Sequence, residues 1–338
     1  MGITVAYAIS SFGQIVIYLI IMITKNWREQ ILYFLGIPSI ILCAFSFFII
    51  DDQPRFLILK DTKKCIQMLN KISQVNKTSE YMQSIQLREI STQQENSGKD
   101  LSKKYTYIDL FIYKSQLKIV IPLTLAMLFL NTLYYGSQLS LDSVGFTFQE
   151  NCLYVGISEL LGYFLSNYIC QRFKRKRYGI LTILITSIFL ILCGIFEVPL
   201  SCLDKNCYQK NLQMIFTCFA RFIVSFSFSF ILIQIGEAYP TTLKAIGYGF
   251  STGFSFLGGV VSPYIIDLSN KNDFNPIISL ALVGILSCVS LFFSQETFGK
   301  PDVQNIPELT RQILQSDGLQ NLEIQKNKQK NINNIQTQ

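Results

Sequence analysis

Two ionisable residues stand far from any polar segment: Glu159, within the apolar stretch 149–170, and Arg221, within 212–235. A charge among Leu, Ile and Phe side chains is costly, and such residues ordinarily face a protein interior where they pair or bind a polar solute. Asn131, Tyr134, Tyr135 and Gln138 add a cluster spaced at 3, 4 and 7, which a helix places on one face. Amides, phenols and a carboxylate–guanidinium couple suit hydrogen-bonded recognition of a small organic solute. The plainer readings are a neutral Glu159 bonded to a neighbouring helix, an outward-snorkelling Arg221 and ordinary interhelical hydrogen bonds for the amide–phenol face.

Covalent chemistry is disfavoured. The 338 residues contain no histidine, which removes imidazole metal sites, Ser-His-Asp triads and His general bases. No G-x-x-x-x-G-K-[ST] loop is present to cradle a nucleotide. The expectation is a binding protein rather than an enzyme, with no metal, nucleotide or prosthetic group.

The elements that position these residues follow from hydropathy. Eight apolar stretches occupy 3–24, 31–50, 119–141, 149–170, 179–198, 212–235, 246–268 and 276–294. Each runs to roughly twenty residues, and a helix rising about 1.5 Å per residue then matches a bilayer's hydrocarbon core. The expected fold is an all-α, polytopic membrane helix bundle with eight transmembrane helices. Half the residues are hydrophobic, only 15% are charged, and Phe alone supplies 27, as a lipid-facing surface requires.

The net charge of +7 lies almost wholly between the stretches, which argues for topology setting and against a nucleic-acid partner. With the N-terminus inside, twenty-three Lys and Arg fall on inner segments and five on outer loops, so both termini are expected to be cytoplasmic. The sequon at Asn76 then lies inside and stays unglycosylated. Residues 1–24 lack the basic start and the small-residue cleavage site of a secretory signal. Of nine cysteines most lie within apolar stretches; Cys202 and Cys207 share an outer loop, where paired and free thiols both stay open.

The order is two spans (1–50), a central cytoplasmic loop (51–118), six spans (119–294) and a polar, disordered tail (295–338). The loop opens on an amphipathic segment bearing Phe56, Leu57, Leu59, Ile66, Met68 and Leu69, suited to the inner membrane surface or to a place under the bundle. Residues 73–104, rich in Gln, Ser, Asn and Lys, read as a linker. Gly247, Gly249, Gly253, Gly258 and Gly259 allow close helix approach and bending.

Several joins carry recognisable sequence. Trp27-Arg28 links the first two spans, and Gln53-Pro54-Arg55-Phe56-Leu57 opens the central loop. Gly236-Glu237-Ala238-Tyr239-Pro240-Thr241, with Lys244 and Gly247, follows the sixth span; Gly258-Gly259-Val260-Val261-Ser262-Pro263 lies in the seventh; Gln295-Glu296-Thr297-Phe298-Gly299 follows the eighth. In this order and spacing the five resemble the major facilitator superfamily, and within it the organic ion transporter group near the sugar porters. The resemblance covers residues 1 to about 310 and corresponds to the family's spans five to twelve.

It implies an alternating-access transporter of a small organic solute, with a coupling ion allowed, and gating by Arg55, Arg172, Arg175, Glu237 and Lys244. The substrate is expected at Asn131, Tyr134, Tyr135, Gln138, Glu159 and Arg221. The alternatives are a sugar porter of the same superfamily and a non-transporting carrier acting as receptor or scaffold. The family's Asp-Arg-x-Gly-Arg-Arg gate reads Gln171-Arg172-Phe173-Lys174-Arg175-Lys176, so its acid is replaced and the gate weakened or re-partnered. Substrate charge is left open by Ser255-Phe256-Leu257, where cation carriers place an acid and anion carriers an Arg. With four spans of the family pattern absent, the chain is expected to be a fragment or to pair with a missing half. Gly13 and Gln14 are then expected to face helices it lacks.

Overall fold

The computed structural model describes residues 2–23, 26–49, 62–76, 106–144, 146–196, 208–240 and 243–299. In chain order the helices are α1 (Gly2–Ile23), α2 (Trp27–Glu29), α3 (Ile37–Ile49), α4 (Thr62–Asn76), α5 (Asp109–Ile112), α6 (Lys114–Leu139), α7 (Phe148–Ile169), α8 (Arg175–Ile195), α9 (Tyr208–Ala238), α10 (Lys244–Ser255), α11 (Leu257–Lys271) and α12 (Pro276–Phe292). A π-helical stretch, Gln30–Gly36, joins α2 to α3, and a 3₁₀ turn, Ser140–Ser143, follows α6. Among the described residues there is no strand, as expected of an all-α chain.

The apolar stretches fall on these helices. Among the described residues five segments are long and apolar enough to cross a membrane: Thr4–Ile21, Gln116–Leu139, Arg175–Ile195, Tyr208–Ala238 and Lys244–Lys271; Gln30–Ser46 and Pro276–Phe292 are shorter apolar helices. Large side chains such as Leu161, Phe164, Tyr264 and Phe292 stand more than half exposed, an outward apolar face that lipid would cover.

Helix starts obey local chemistry. Thr147 caps α7 through a reciprocal capping box with Glu150. Asn275 accepts the Ile277 N–H at 2.8 Å, with Pro276 in the first turn of α12 where its missing donor costs nothing.

Some boundaries differ from expectation. Helix α9 runs 31 residues, past both ends of the 212–235 stretch. The 246–268 stretch is two helices meeting at Phe256, just before the Gly258-Gly259 pair, since glycine lowers the cost of interrupting a helix. Helix α4 continues to Asn76, so the linker assigned to 73–104 starts inside a helix. The amphipathic residues Phe56, Leu57 and Leu59, with Cys202, Cys207 and the 300–338 tail, lie outside the described residues.

The chain forms two contact units, Met1–Ile23 with Tyr105–Gln338, and Thr24–Lys104. In the second, Asn26 donates to Glu29 at 2.9 Å beside the Trp27-Arg28 join. In the first, α1 packs on α7, α7 on α9, α9 on α8, α8 on α12, and α12 and α11 on α6. These approaches are close where small residues permit them. A Cβ on Gly162 would lie 2.6 Å from the Phe222 carbonyl oxygen, and one on Gly258 2.5 Å from that of Leu128. Hydroxyls fasten neighbouring helices too, Ser166 of α7 to Ser229 of α9 at 2.8 Å and Ser287 of α12 to the Ala126 carbonyl of α6 at 2.7 Å.

Candidate substrate cavity and gate

Helix α6 presents Asn131, Tyr134, Tyr135 and Gln138 inward, and α7 and α9 bring Glu159 and Arg221 to the same level. Arg221 Nη1 donates to Glu159 Oε1 at 2.9 Å, and Nη2 donates to Gln138 Oε1 at 2.6 Å. Tyr134 Oη donates to Glu159 Oε2 at 2.9 Å, while the Arg221 guanidinium lies 4.7 Å from the Tyr134 ring centre. Gln138 Nε2 completes the chain by donating to Tyr18 Oη of α1 at 2.8 Å. Both carboxylate oxygens of Glu159 thus face donors and the guanidinium has an anionic partner, which offsets part of the cost of sealing two charges from water, while the buried Arg221 Nε–H finds no partner among the described residues.

Beside this network lies a cavity of about 150 Å³. Its aromatic wall is Tyr7, Tyr134, Tyr135, Tyr163, Phe228 and Phe256; its polar wall is Ser10, Ser11, Gln14, Asn131, Thr252 and Ser255. Asn131 Nδ2 donates to Ser255 Oγ at 2.7 Å, tying α6 to the end of α10 at the helix break. Tyr7 stacks on Tyr163 at 5.6 Å, and Tyr134 meets Phe228 edge-on at 5.0 Å. Among the described residues no charged side chain lines the cavity.

Of the six residues expected to bind substrate, Asn131, Tyr134 and Tyr135 line the cavity, while Gln138, Glu159 and Arg221 stand behind Tyr134. Gln14, expected to face an absent helix, lines it as well. Tyr7, Tyr18, Tyr163 and Ser255 are additions that the sequence does not single out as binding residues. The Tyr residues carry no charge to mark them in an apolar stretch, and Ser255 bears in the sequence only on substrate sign.

The residues expected to form a gate divide. Arg175 holds Glu237 through two contacts, Nη2 to Oε1 at 3.2 Å and Nε to Oε2 at 3.4 Å. Thr297 Oγ1 donates to Glu237 Oε2 at 2.8 Å, and the Phe298 ring lies 5.0 Å from the Arg175 guanidinium. Arg175 opens α8 rather than trailing α7, and Glu296 caps that start by accepting the Arg175 N–H at 2.9 Å and the Lys176 N–H at 3.2 Å. The carboxylates beside Arg175 thus come from the Gly236–Thr241 and Gln295–Gly299 motifs, while position 171 carries a Gln. Arg172 lies over the Tyr168 ring at 4.4 Å. Lys244 begins α10, and Arg55 lies outside the described residues.

The Tyr239-Pro240 join has a physical reason for its glycine. A Cβ on Gly247 would lie 2.6 Å from the Tyr239 ring, whose hydroxyl meets Ser251 Oγ at 2.7 Å. Burial pushes that phenol up to about 12, so it stays protonated.

The family described as "Sugar (and other) transporter" matches residues 2–304. The organic cation/carnitine transporter 2 of Rattus norvegicus is 24% identical over 96% of this chain and 55% of its own length. The β-alanine transporter of Drosophila melanogaster is 22% identical over 88% of this chain and 48% of its own. The chain spans about half the length of the curated relatives it matches. Among solved structures, the proton:xylose symporter XylE of the major facilitator superfamily, bound to 6-bromo-6-deoxy-D-glucose, superimposes with a TM-score of 0.61 at 16% identity. That match covers 89% of this chain and 64% of XylE.

Proposed function

The chain belongs to the sugar (and other) transporter family of the major facilitator superfamily, and from that premise we propose that it carries a small organic solute across a membrane by alternating access. The observation that carries this reading is the 150 Å³ cavity backed by the Glu159–Arg221 pair. Tyrosine faces and hydroxyls contact the solute, and Tyr134 relays its presence to the buried pair. Relatives named for carnitine, organic cations and β-alanine support an organic ion as substrate. The uncharged lining favours a second reading, a neutral sugar like that held by XylE.

The Arg175–Glu237–Thr297 contacts form the gate, fastening the ends of α8 and α9 to the segment after α12 in one state and parting in the other. The lysine and arginine distribution supports an orientation with both termini, the 51–118 loop and this gate in the cytoplasm. Residues 1–50 act as two helices of an N-terminal bundle and 119–294 as the six-helix C-terminal bundle, with a cytoplasmic tail from 295.

The test is binding and uptake by the purified chain in liposomes, with labelled carnitine, tetraethylammonium, β-alanine and xylose as probes. Saturable uptake of one of the first three supports the organic-ion reading, and uptake of xylose alone supports the sugar reading. Saturable binding without flux would favour a receptor. Folded protein that neither binds nor moves any of the four would overturn the cavity assignment.

A further inference from the structure

The start of α8 borders a second cavity, of about 480 Å³. Arg172, Lys174 and Arg177 line it together with Phe173, Tyr178 and Phe298, and Leu181 lies one turn further along the helix than Arg177. Among the described residues no carboxylate is in the lining. Among them too, none of the three cations forms an ion pair, and Arg172 only overlies Tyr168. The neighbouring acid, Glu296, is committed to the backbone N–H groups of Arg175 and Lys176.

Three like charges converging on one cleft repel one another, and topology setting alone would be served equally by charges spread over the surface. The cleft also has an apolar part: Phe173 and Tyr178 lie 4.5 Å apart, ring to ring, and Tyr178 continues onto Phe230 of the bundle. Clustered cations beside an apolar wall at the end of a membrane helix fit a molecule with phosphate at one end and hydrocarbon at the other. Phe298 belongs both to this wall and to the gate, since its ring packs on the Arg175 guanidinium that holds Glu237.

We propose that this cleft binds the phosphorylated headgroup of an anionic phospholipid, and that its occupancy steadies Phe298 against Arg175 and so holds the Arg175–Glu237 contact closed. The headgroup phosphates meet Arg172, Lys174 and Arg177, and the glycerol and first acyl carbons run along Phe173 and Leu181. The inference rests on the membrane reading but not on transport or on orientation.

The test uses the full chain in phosphatidylcholine nanodiscs, which expose both membrane faces. A fluorescent short-chain phosphatidylinositol bisphosphate is titrated and followed by anisotropy. Saturable binding is expected, weakened at least about tenfold in R172Q/K174Q/R177Q and unchanged in the control K60Q/K63Q/K64Q. Binding retained in the first variant, or lost equally in the second, overturns the site. Inositol trisphosphate competing as well as the lipid would assign the cleft to a soluble phosphate and overturn the lipid. Should the triple variant not purify, R172Q and R177Q carry the test singly, each expected to weaken binding about threefold, and full affinity in both overturns it. Because the readout is lipid binding, a failed transport assay leaves it intact.

Discussion

Arg221 and Glu159 meet at 2.9 Å from helices α9 and α7, with side chains only 2% and 1% exposed. The pair is neutral as a unit and expensive to break, because either partner alone would be a bare charge in a low-dielectric interior. Its second guanidinium nitrogen and second carboxylate oxygen are spent on Gln138 and Tyr134, so the network connects α1, α6, α7 and α9.

Breaking the pair should therefore differ from replacing it. Glu159→Gln and Arg221→Ala are each expected to destabilise the protein by about 3–5 kcal/mol, and the double variant Glu159→Met/Arg221→Met much less. Thermal unfolding in detergent measures this. The proposed role adds that solute binding is lost in all three; a double variant restored in both stability and binding would make the pair purely structural.

Tyr134→Phe removes one hydroxyl that donates to a carboxylate and keeps the ring over Arg221 and against Phe228. A hydrogen bond to a charged group is worth about 1.5–3 kcal/mol, so the variant should lose about that much stability, and on the proposed relay through Tyr134 solute affinity falls with it. Binding isotherms of the wild-type protein and the Tyr134→Phe variant, at matched monodispersity, decide it.

At the gate, Arg175→Ala and Glu237→Gln should be strongly non-additive. Glu237 is about one-third exposed, so solvent weakens the contact, and a coupling on the order of 1 kcal/mol is expected from a double-mutant cycle. Glu296→Gln should cost separately, since it uncaps α8 rather than opening the pair. Strict additivity of the first two would remove the gate assignment.

Glycines should sort by space rather than by sequence position. Gly258→Ala would drive a methyl against the Leu128 carbonyl and Thr132, for about 1–3 kcal/mol of strain. Gly249→Ala and Gly253→Ala meet nothing within 4 Å and should be neutral or slightly stabilising. Unfolding midpoints of the three variants provide the comparison.

Orientation is open to direct labelling. In a background cleared of its nine cysteines, Lys205→Cys should react with a membrane-impermeant thiol reagent in intact cells and Lys77→Cys only after permeabilisation. The reverse pattern would invert the topology.

Hydropathy and local chemistry by themselves determined the helices, because a twenty-residue apolar run has few other ways to satisfy its backbone in lipid. Caps such as Thr147 and Asn275 were equally local. The spacing of Asn131, Tyr134, Tyr135 and Gln138 determined a shared face, and the isolation of Glu159 and Arg221 in apolar surroundings determined that they would seek partners. Which partners was a matter for tertiary structure. Glu159 and Arg221 are 62 positions apart, and only the packing of α7 on α9 brings their charges together and turns Tyr134 between them and the cavity. The same holds at the gate, where Gln171 gave no acid and the carboxylates of Glu237 and Glu296 arrive on Arg175 from 62 and 121 residues away. Tyr7 and Tyr163 carried no signal in the chain, and Gln14 stood out only as a polar residue expected to face a helix the chain lacks, because an uncharged aromatic or amide becomes a wall only when neighbouring helices leave a space beside it.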